Sequence, residues 1–343
     1  MDKAILNLLQ TYNELNAAVI DEFNEEPSAL EFMRYVAKNR PFIVRGMANE
    51  WKATRKWDAT NLRQTMSEKE VKVAVTPHGN ADAVVEQPDQ NLVFVEPHEA
   101  FETFENFMDH IQNKGRSESI VKYAQTQNDN LRNEYSALYP DVPEDIPFAR
   151  IALCKCADAI NLWLGDDRSV TSLHKDNYEN IYVQIRGQKH FVLLPPVEAP
   201  CVNEQNLPRA RYSSSTNTEK YMNKSAEILK VEIDEQAGRI PVPIWDPDIP
   251  SERATSYSHL SKPLRLTLNQ GDMLYLPAMW YHKVSQTAGE EGFVCAVNYW
   301  YDMEFSGDFW ANHSFLRDVI TAEQRQVKYP DLSPTSHCLH EAK

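Results

Sequence analysis

Glycine is scarce, with 10 residues in 343, and cysteine is scarcer, with five. A chain so poor in glycine has little with which to build a phosphate cradle, and neither a P-loop nor a dinucleotide fingerprint occurs. The run Ser213-Ser214-Ser215 lacks the flanking glycines of a nucleophile elbow. The cysteines, at 154, 156, 201, 295 and 338, are scattered and odd in number, as expected of reduced thiols in a cytosolic or nuclear protein. Cys154-Lys155-Cys156 is half a zinc site with no second pair to complete it. No apolar run approaches the roughly 18 residues of a membrane span, and the opening segment is too often interrupted by polar residues for a signal-peptide core. Basic residues are outnumbered, 35 against 50. The net charge of −15 disfavours non-specific association with nucleic acid or an anionic membrane, and it leaves room for a basic partner.

The composition is that of a globular protein, 42% hydrophobic and 25% charged, without repeats or low-complexity segments. Residues 1–120 mix helical and extended signals. A capping box at Ser28 and Glu31 predicts a helix with Leu30, Met33 and Val36 on one side. Strands are expected at 41–46 and 71–75. Residues 98–113 place Phe101, Phe104, Met108 and Ile111 at helical spacing, which reads as a packing face. From about 151 the pattern turns to short β-rich runs, at 159–164, 179–185, 190–194, 264–268, 272–276 and 293–299. Short strands separated by turns predict an antiparallel sandwich or barrel of the α+β class, forming a catalytic domain over 121–305. Residues 203–260 read as a polar, proline-rich insertion with one strand-like stretch at 228–233, of a length common in active-site walls. Residues 306–343 are a C-terminal helical segment and tail. Trp310, Phe315, Leu316, Val319 and Ile320 give that segment an apolar face for docking on its own domain or on a second copy.

The most informative stretch starts at Thr171 and contains His174 and Asp176. Two residues apart in extended backbone, their side chains point the same way. They supply two ligands of a facial triad for non-haem Fe(II). One such pair is common by chance, so its meaning depends on the strands after it. The strands 179–185 and 188–194 are joined by Arg186-Gly187, a two-residue loop that predicts a hairpin. That register puts Lys189 on one face with Gln184, Tyr182 and Asn180. If the face lines a barrel interior, it makes a polar pocket with one fixed positive charge, suited to a small dicarboxylate. If it does not, Lys189 is a surface residue. The third ligand is expected from His282, which comes after a turn, a strand and Pro277. His190 is expected to face away from Lys189. His78, His98, His110, His259 and His313 are isolated.

Several long motifs occur in order. They are Arg40-Pro41-Phe42-Ile43-Val44-Arg45-Gly46, Tyr123-x-Gln125-x-Gln127, Leu173-His174-Lys175-Asp176 with Tyr178, Glu179, Asn180 and Tyr182, Gly187-x-Lys189-His190-Phe191, and Pro195-Pro196. Further along stand Gly271-Asp272-Met273-Leu274-Tyr275-Leu276-Pro277-Ala278-x-Trp280-x-His282 and Ala296-Val297-Asn298-x-Trp300-Tyr301-Asp302-Met303. Together they resemble the JmjC-domain oxygenases of the cupin-like group, closest to its lysyl-hydroxylase type. The resemblance implies a double-stranded β-helix, the jelly-roll barrel of cupins, with flanking helices. It places iron ligands on His174, Asp176 and His282. It places 2-oxoglutarate on Lys189 with help from Thr171 and Tyr123, and two asparagines near the metal on Asn180 and Asn298. It implies Fe(II), 2-oxoglutarate and O2 as cofactor and co-substrates, and decarboxylation of the keto acid coupled to hydroxylation. The implied partner is a protein with a target lysine, described for this group as a GTP-binding protein of the developmentally regulated class, and the implied assembly is a homodimer. N-methyl-lysine demethylation or peptide cleavage would use the same site. A non-catalytic cupin-like binding protein has no need of both an intact triad and Lys189.

Overall fold

A computed structural model describes residues 2–112, 120–214 and 229–328. Its core is two facing β-sheets. The larger has nine strands, in spatial order Asp21–Phe23, Phe42–Val44, Met273–Leu276, Tyr178–Arg186, Val294–Asp302, Ala159–Gly165, Val121–Ala124, Glu70–Thr76 and His98–Thr103. The smaller has four: Leu264–Leu268, Gln188–Leu194, Tyr281–Thr287 and Thr171–His174. This is the expected jelly roll with flanking helices. Strands from the first hundred residues belong to the large sheet itself.

Alternation explains how the layers meet. In the Tyr178–Arg186 strand, Ile181, Val183 and Ile185 face outward into a cluster with Phe32 and Phe107 of the covering helices, whereas Tyr182 faces the small sheet and packs with Phe191 and Leu193. Both faces are therefore covered, and the strand is buried almost throughout. Among the helices, Ala29–Lys38 starts at the predicted capping box: Ser28 Oγ accepts from the Glu31 backbone N–H, and the Glu31 carboxylate accepts from that of Ser28. Its buried residue is Phe32, with Tyr35 and Val36 partly buried beside it, while Leu30 is exposed. Of the expected side Val36 packs inward and Leu30 does not, because the packing face centres on Phe32.

Three further expectations are corrected. The segment from 98 is a strand to Thr103, and only then the helix Phe104–Gln112; Phe101, on the strand, is exposed. The strands flanking Arg186-Gly187 do not pair. One hydrogen-bonds to the Met273–Leu276 and Val294–Asp302 strands, the other to the Leu264–Leu268 and Tyr281–Thr287 strands, so the chain arcs from one sheet to the other. Gly187 makes that turn with a φ of +68°, and a Cβ there would lie 2.8 Å from the Thr287 carbonyl oxygen. Among its described residues, finally, the insertion is more regular than expected. Glu204–Ser214, Leu229–Ile233 and Arg239–Pro243 join Leu92–Glu96 and Ala83–Glu86 in a third sheet. Pro241 and Pro243 disguise the last of these strands, which pairs on one side only, where proline is tolerated.

The C-terminal helix Asp308–Lys328 docks on its own chain. Ile320 and Leu316 pack with Ile5 and Leu9 of the helix Asp2–Leu15, Trp310 packs near Met279 and Met303, and Phe315 is exposed. Arg317 on this helix and Lys175 both pair with Glu204. Among the described residues no helix is long and apolar enough to cross a membrane.

Candidate active site

The small sheet brings His174 and His282 together as direct cross-strand partners, their ring centroids 4.0 Å apart. Asp176 lies just past the end of the His174 strand. Its carbonyl accepts the Met279 backbone N–H at 2.8 Å, which ties this loop to the segment leading into His282. Asp176 Oδ2 is 3.7 Å from His174 Nε2 and 3.6 Å from His282 Nε2. The three donor atoms all lie within 4.8 Å of one another. His174 Nδ1 is 2.8 Å from the Ser172 carbonyl and His282 Nδ1 3.0 Å from that of Trp280. With Nδ1–H donated to backbone, each ring presents its Nε2 lone pair toward Asp176. Burial, with the neighbouring His174, holds the His282 imidazole down at about 4, so it is neutral at physiological pH. Two imidazoles and one carboxylate on a single side form the donor set of a facial triad, and the chemistry of the donors fits Fe(II).

Lys189 lies on the adjacent strand of the small sheet, only 3% exposed. Its Nζ donates to the Tyr123 hydroxyl at 2.8 Å, and among the described residues no carboxylate pairs with it. Burial holds its ammonium down at about 7. Burial also raises the Tyr123 phenol, which stays protonated with a hydrogen to donate. An unneutralised buried cation is costly, and a carboxylate arriving in the cavity would relieve that cost. Lys189 thus points inward, although through the arc between sheets and not through a hairpin. Tyr182 and Phe191 meet edge to face across the gap between the sheets at 5.2 Å.

The opposite wall is neutral and polar. Asn298 Nδ2 donates to Asn180 Oδ1 at 3.0 Å, and Trp163 Nε1 donates to Asn298 Oδ1 at 2.9 Å, a chain of bonds across three adjacent strands. Thr171 opens the His174 strand and lines the same cavity, which holds about 520 Å3 of space including its mouth. All eight residues singled out in the sequence border this one cavity. Gln184 does not: its amide turns to the Arg186 carbonyl. His190 faces away, between the hydroxyls of Thr267 and Thr287.

Sequence reasoning missed Trp163, Trp300 and Asp82, which also line the cavity. Gln125 and Gln127 line it too, and the alternation of Tyr123-x-Gln125-x-Gln127 along an extended segment was a signal that could have found them.

Comparison with known proteins identifies the family. The model of the cupin-like domain matches residues 27–307. An Arabidopsis thaliana protein named lysine-specific demethylase JMJ32 is 36% identical over 331 residues, 93% of this chain and 92% of its own. The Homo sapiens bifunctional peptidase and (3S)-lysyl hydroxylase JMJD7 is 38% identical over 300 residues, 87% of this chain and 88% of its own. JmjC domain-containing protein E of Dictyostelium discoideum is 34% identical over 322 residues, covering 89% of each chain. With the match running through the strands that carry His174, Lys189 and His282, the chain belongs to the cupin-like JmjC family and is an enzyme of the 2-oxoglutarate-dependent dioxygenase class.

Proposed function

We propose that the chain is an Fe(II)- and 2-oxoglutarate-dependent protein hydroxylase that acts on a lysine side chain. One juxtaposition carries the reading: a two-histidine, one-carboxylate donor set and an unneutralised buried lysine border the same cavity. In this reading His174, Asp176 and His282 hold the metal from one side and leave its other positions open. Lys189 binds the far carboxylate of 2-oxoglutarate, and the hydroxyls of Tyr123 and Thr171 complete its hydrogen bonds. Asn180 and Asn298 orient what lies between without adding charge. Trp163 and Phe191 exclude water from the cavity walls. When bound, iron supplies the oxygen chemistry, coupling loss of carbon dioxide from the keto acid to oxidation of a substrate C–H bond.

Lysine as the target is supported by the names of two relatives, a (3S)-lysyl hydroxylase and a lysine-specific demethylase. Demethylation is the second reading, favoured by the Arabidopsis relative. The test supplies lysine-centred peptide libraries, unmethylated and trimethylated, with iron, ascorbate and 2-oxoglutarate. Gain of one oxygen on the unmethylated lysine supports hydroxylation. Loss of a methyl group from the trimethylated one, with the other unchanged, overturns it. Absence of iron-dependent succinate formation would exclude both and leave a binding protein. For quaternary structure, the reading is a homodimer through the C-terminal helix, supported by its exposed Phe315; a monomer by light scattering at micromolar concentration contradicts it.

A further inference from the structure

Two cavities meet at the entrance to the triad. The outer one, with about 1030 Å3 of space open to solvent, lies among Lys72, Glu96, Glu99, Arg209 and Arg211. Asp82, Gln125 and Gln127 line both cavities and so form the sill between them. The acidic groups of the outer rim are already neutralised. Glu96 pairs with Arg209 and Arg211, and Glu99 pairs with Lys72 at 2.7 Å. Asp176 belongs to the donor set.

Asp82 is different. Its carboxylate accepts from the Gln125 amide at 3.0 Å, and it forms no ion pair among the described residues. Its place is set by the backbone before it. Gly79 accepts the Val170 N–H at 2.9 Å and donates to Thr76 Oγ1 at 2.9 Å, clamping the loop against residues 168–170. A Cβ at Gly79 would lie 2.1 Å from the Arg168 carbonyl oxygen, so only glycine allows that approach. Asp82 itself has a φ of 53°, in the left-handed region that aspartate tolerates better than most residues. The carboxylate is largely desolvated, which raises it above its ordinary range. Arg209, already paired with Glu96, acts on it only from a distance, so the carboxylate keeps no direct cationic partner, and a cation arriving in contact relieves the cost of its desolvation.

We propose that Asp82 receives the ammonium group of the substrate at this sill, and that it thereby selects lysine over its trimethylated form. The inference rests on the hydroxylase reading for the subsequent reaction; the contact itself concerns binding. The chemistry narrows the guest. With Oδ2 engaged by Gln125, one oxygen is left, which suits the point charge of an ammonium better than the two-pronged fork of a guanidinium. A trimethylated nitrogen has no N–H to donate to it. Asp82 is thus a specificity-determining residue on the approach to His174.

The test is a binding titration. Short fluorescein-labelled Gly-Ser peptides with one central lysine, norleucine or trimethyl-lysine are titrated by anisotropy against the full chain loaded with Mn(II) and 2-oxoglutarate. Wild type is expected to bind the lysine peptide at least about tenfold more tightly than the norleucine peptide, the worth of one charged hydrogen bond. Asp82→Asn, which keeps an acceptor for Gln125, should bring that ratio close to one. Asp82→Gly, suited to the left-handed backbone, repeats the charge removal if the first variant loses its near-ultraviolet circular dichroism. A ratio unchanged in a folded variant, or absent in wild type, overturns the proposal. Wild type that shows the preference but forms no succinate with iron refutes the hydroxylase reading while supporting this contact.

Discussion

His174 and His282 are cross-strand partners, and each turns its Nδ1 to the carbonyl of the residue two places before it. The back-bond is local to each strand, so the same short geometry sets both tautomers. Both Nε2 atoms are then committed to the side where Asp176 stands.

Replacing Asp176 with alanine leaves two imidazole rings and no carboxylate donor. Loss of a partner in the outer shell of a metal site already costs about 10- to 100-fold in affinity, so loss of this ligand should cost at least that. Fe(II) or Mn(II) titration of Asp176→Ala should show the drop together with abolished succinate formation, while the melting temperature of the metal-free protein stays near that of wild type. Undiminished turnover in a folded variant would remove Asp176 from the donor set.

Lys189→Ala should weaken 2-oxoglutarate by roughly ten- to a hundredfold, the worth of a charge-assisted contact of about 1.5–3 kcal/mol. Metal affinity should change far less. Equal losses in the two titrations would point to a general disturbance of the cavity.

The same lysine predicts a pH dependence. Burial holds it at about 7, against 10.5 for an exposed lysine. Between those values the unfolded chain carries a proton that the folded chain lacks, so this group's contribution to stability rises with pH across the window. Binding a dianion restores the proton. Affinity for 2-oxoglutarate should therefore fall above about pH 7, approaching tenfold per pH unit. Calorimetry in buffers of different ionisation enthalpy should register proton uptake in wild type and none at this site in Lys189→Ala.

Much of this site was legible because its parts are short-range. The His174 and Asp176 pair shares a side through alternation, and the β-rich runs of 179–185 and 264–268 announce strands wherever they pair. Alternation says which way a residue points but not which strand lies beside it. That is why Arg186-Gly187 read as a hairpin when it joins opposite sheets, and why Lys189 still pointed inward after the partner was wrong. Trp163 and Asp82 carry no motif that ties them to His174, and only the folded sheets bring them near it. Proline hid the strand Arg239–Pro243 because an edge strand obeys looser rules than a central one.

The arc itself can be tested. Gly187→Ala forces a Cβ into left-handed backbone, costing about 1–2 kcal/mol, and presses it on the Thr287 carbonyl. Stability from urea unfolding should fall by at least that amount. An unchanged midpoint would mean the turn relaxes freely.

Glu204→Ala strands two cations, Lys175 and Arg317, in a half-buried setting. Breaking a buried pair by removing one partner costs about 3 kcal/mol or more. Because Lys175 sits between His174 and Asp176, metal affinity should drop along with stability. Lost stability with metal binding intact would show that the C-terminal helix is uncoupled from the donor set.

The pairing of His174 with His282 joins positions 108 residues apart in the chain (282 − 174). Contacts of such high contact order form slowly, after local structure. A nascent chain that has emerged only as far as Asp176 offers one imidazole and one carboxylate, too few for a firm chelate. Metal capture is thus an end-point of folding, and its rate in a refolding experiment should lag the formation of local helices such as Ala29–Lys38, followed by far-ultraviolet circular dichroism.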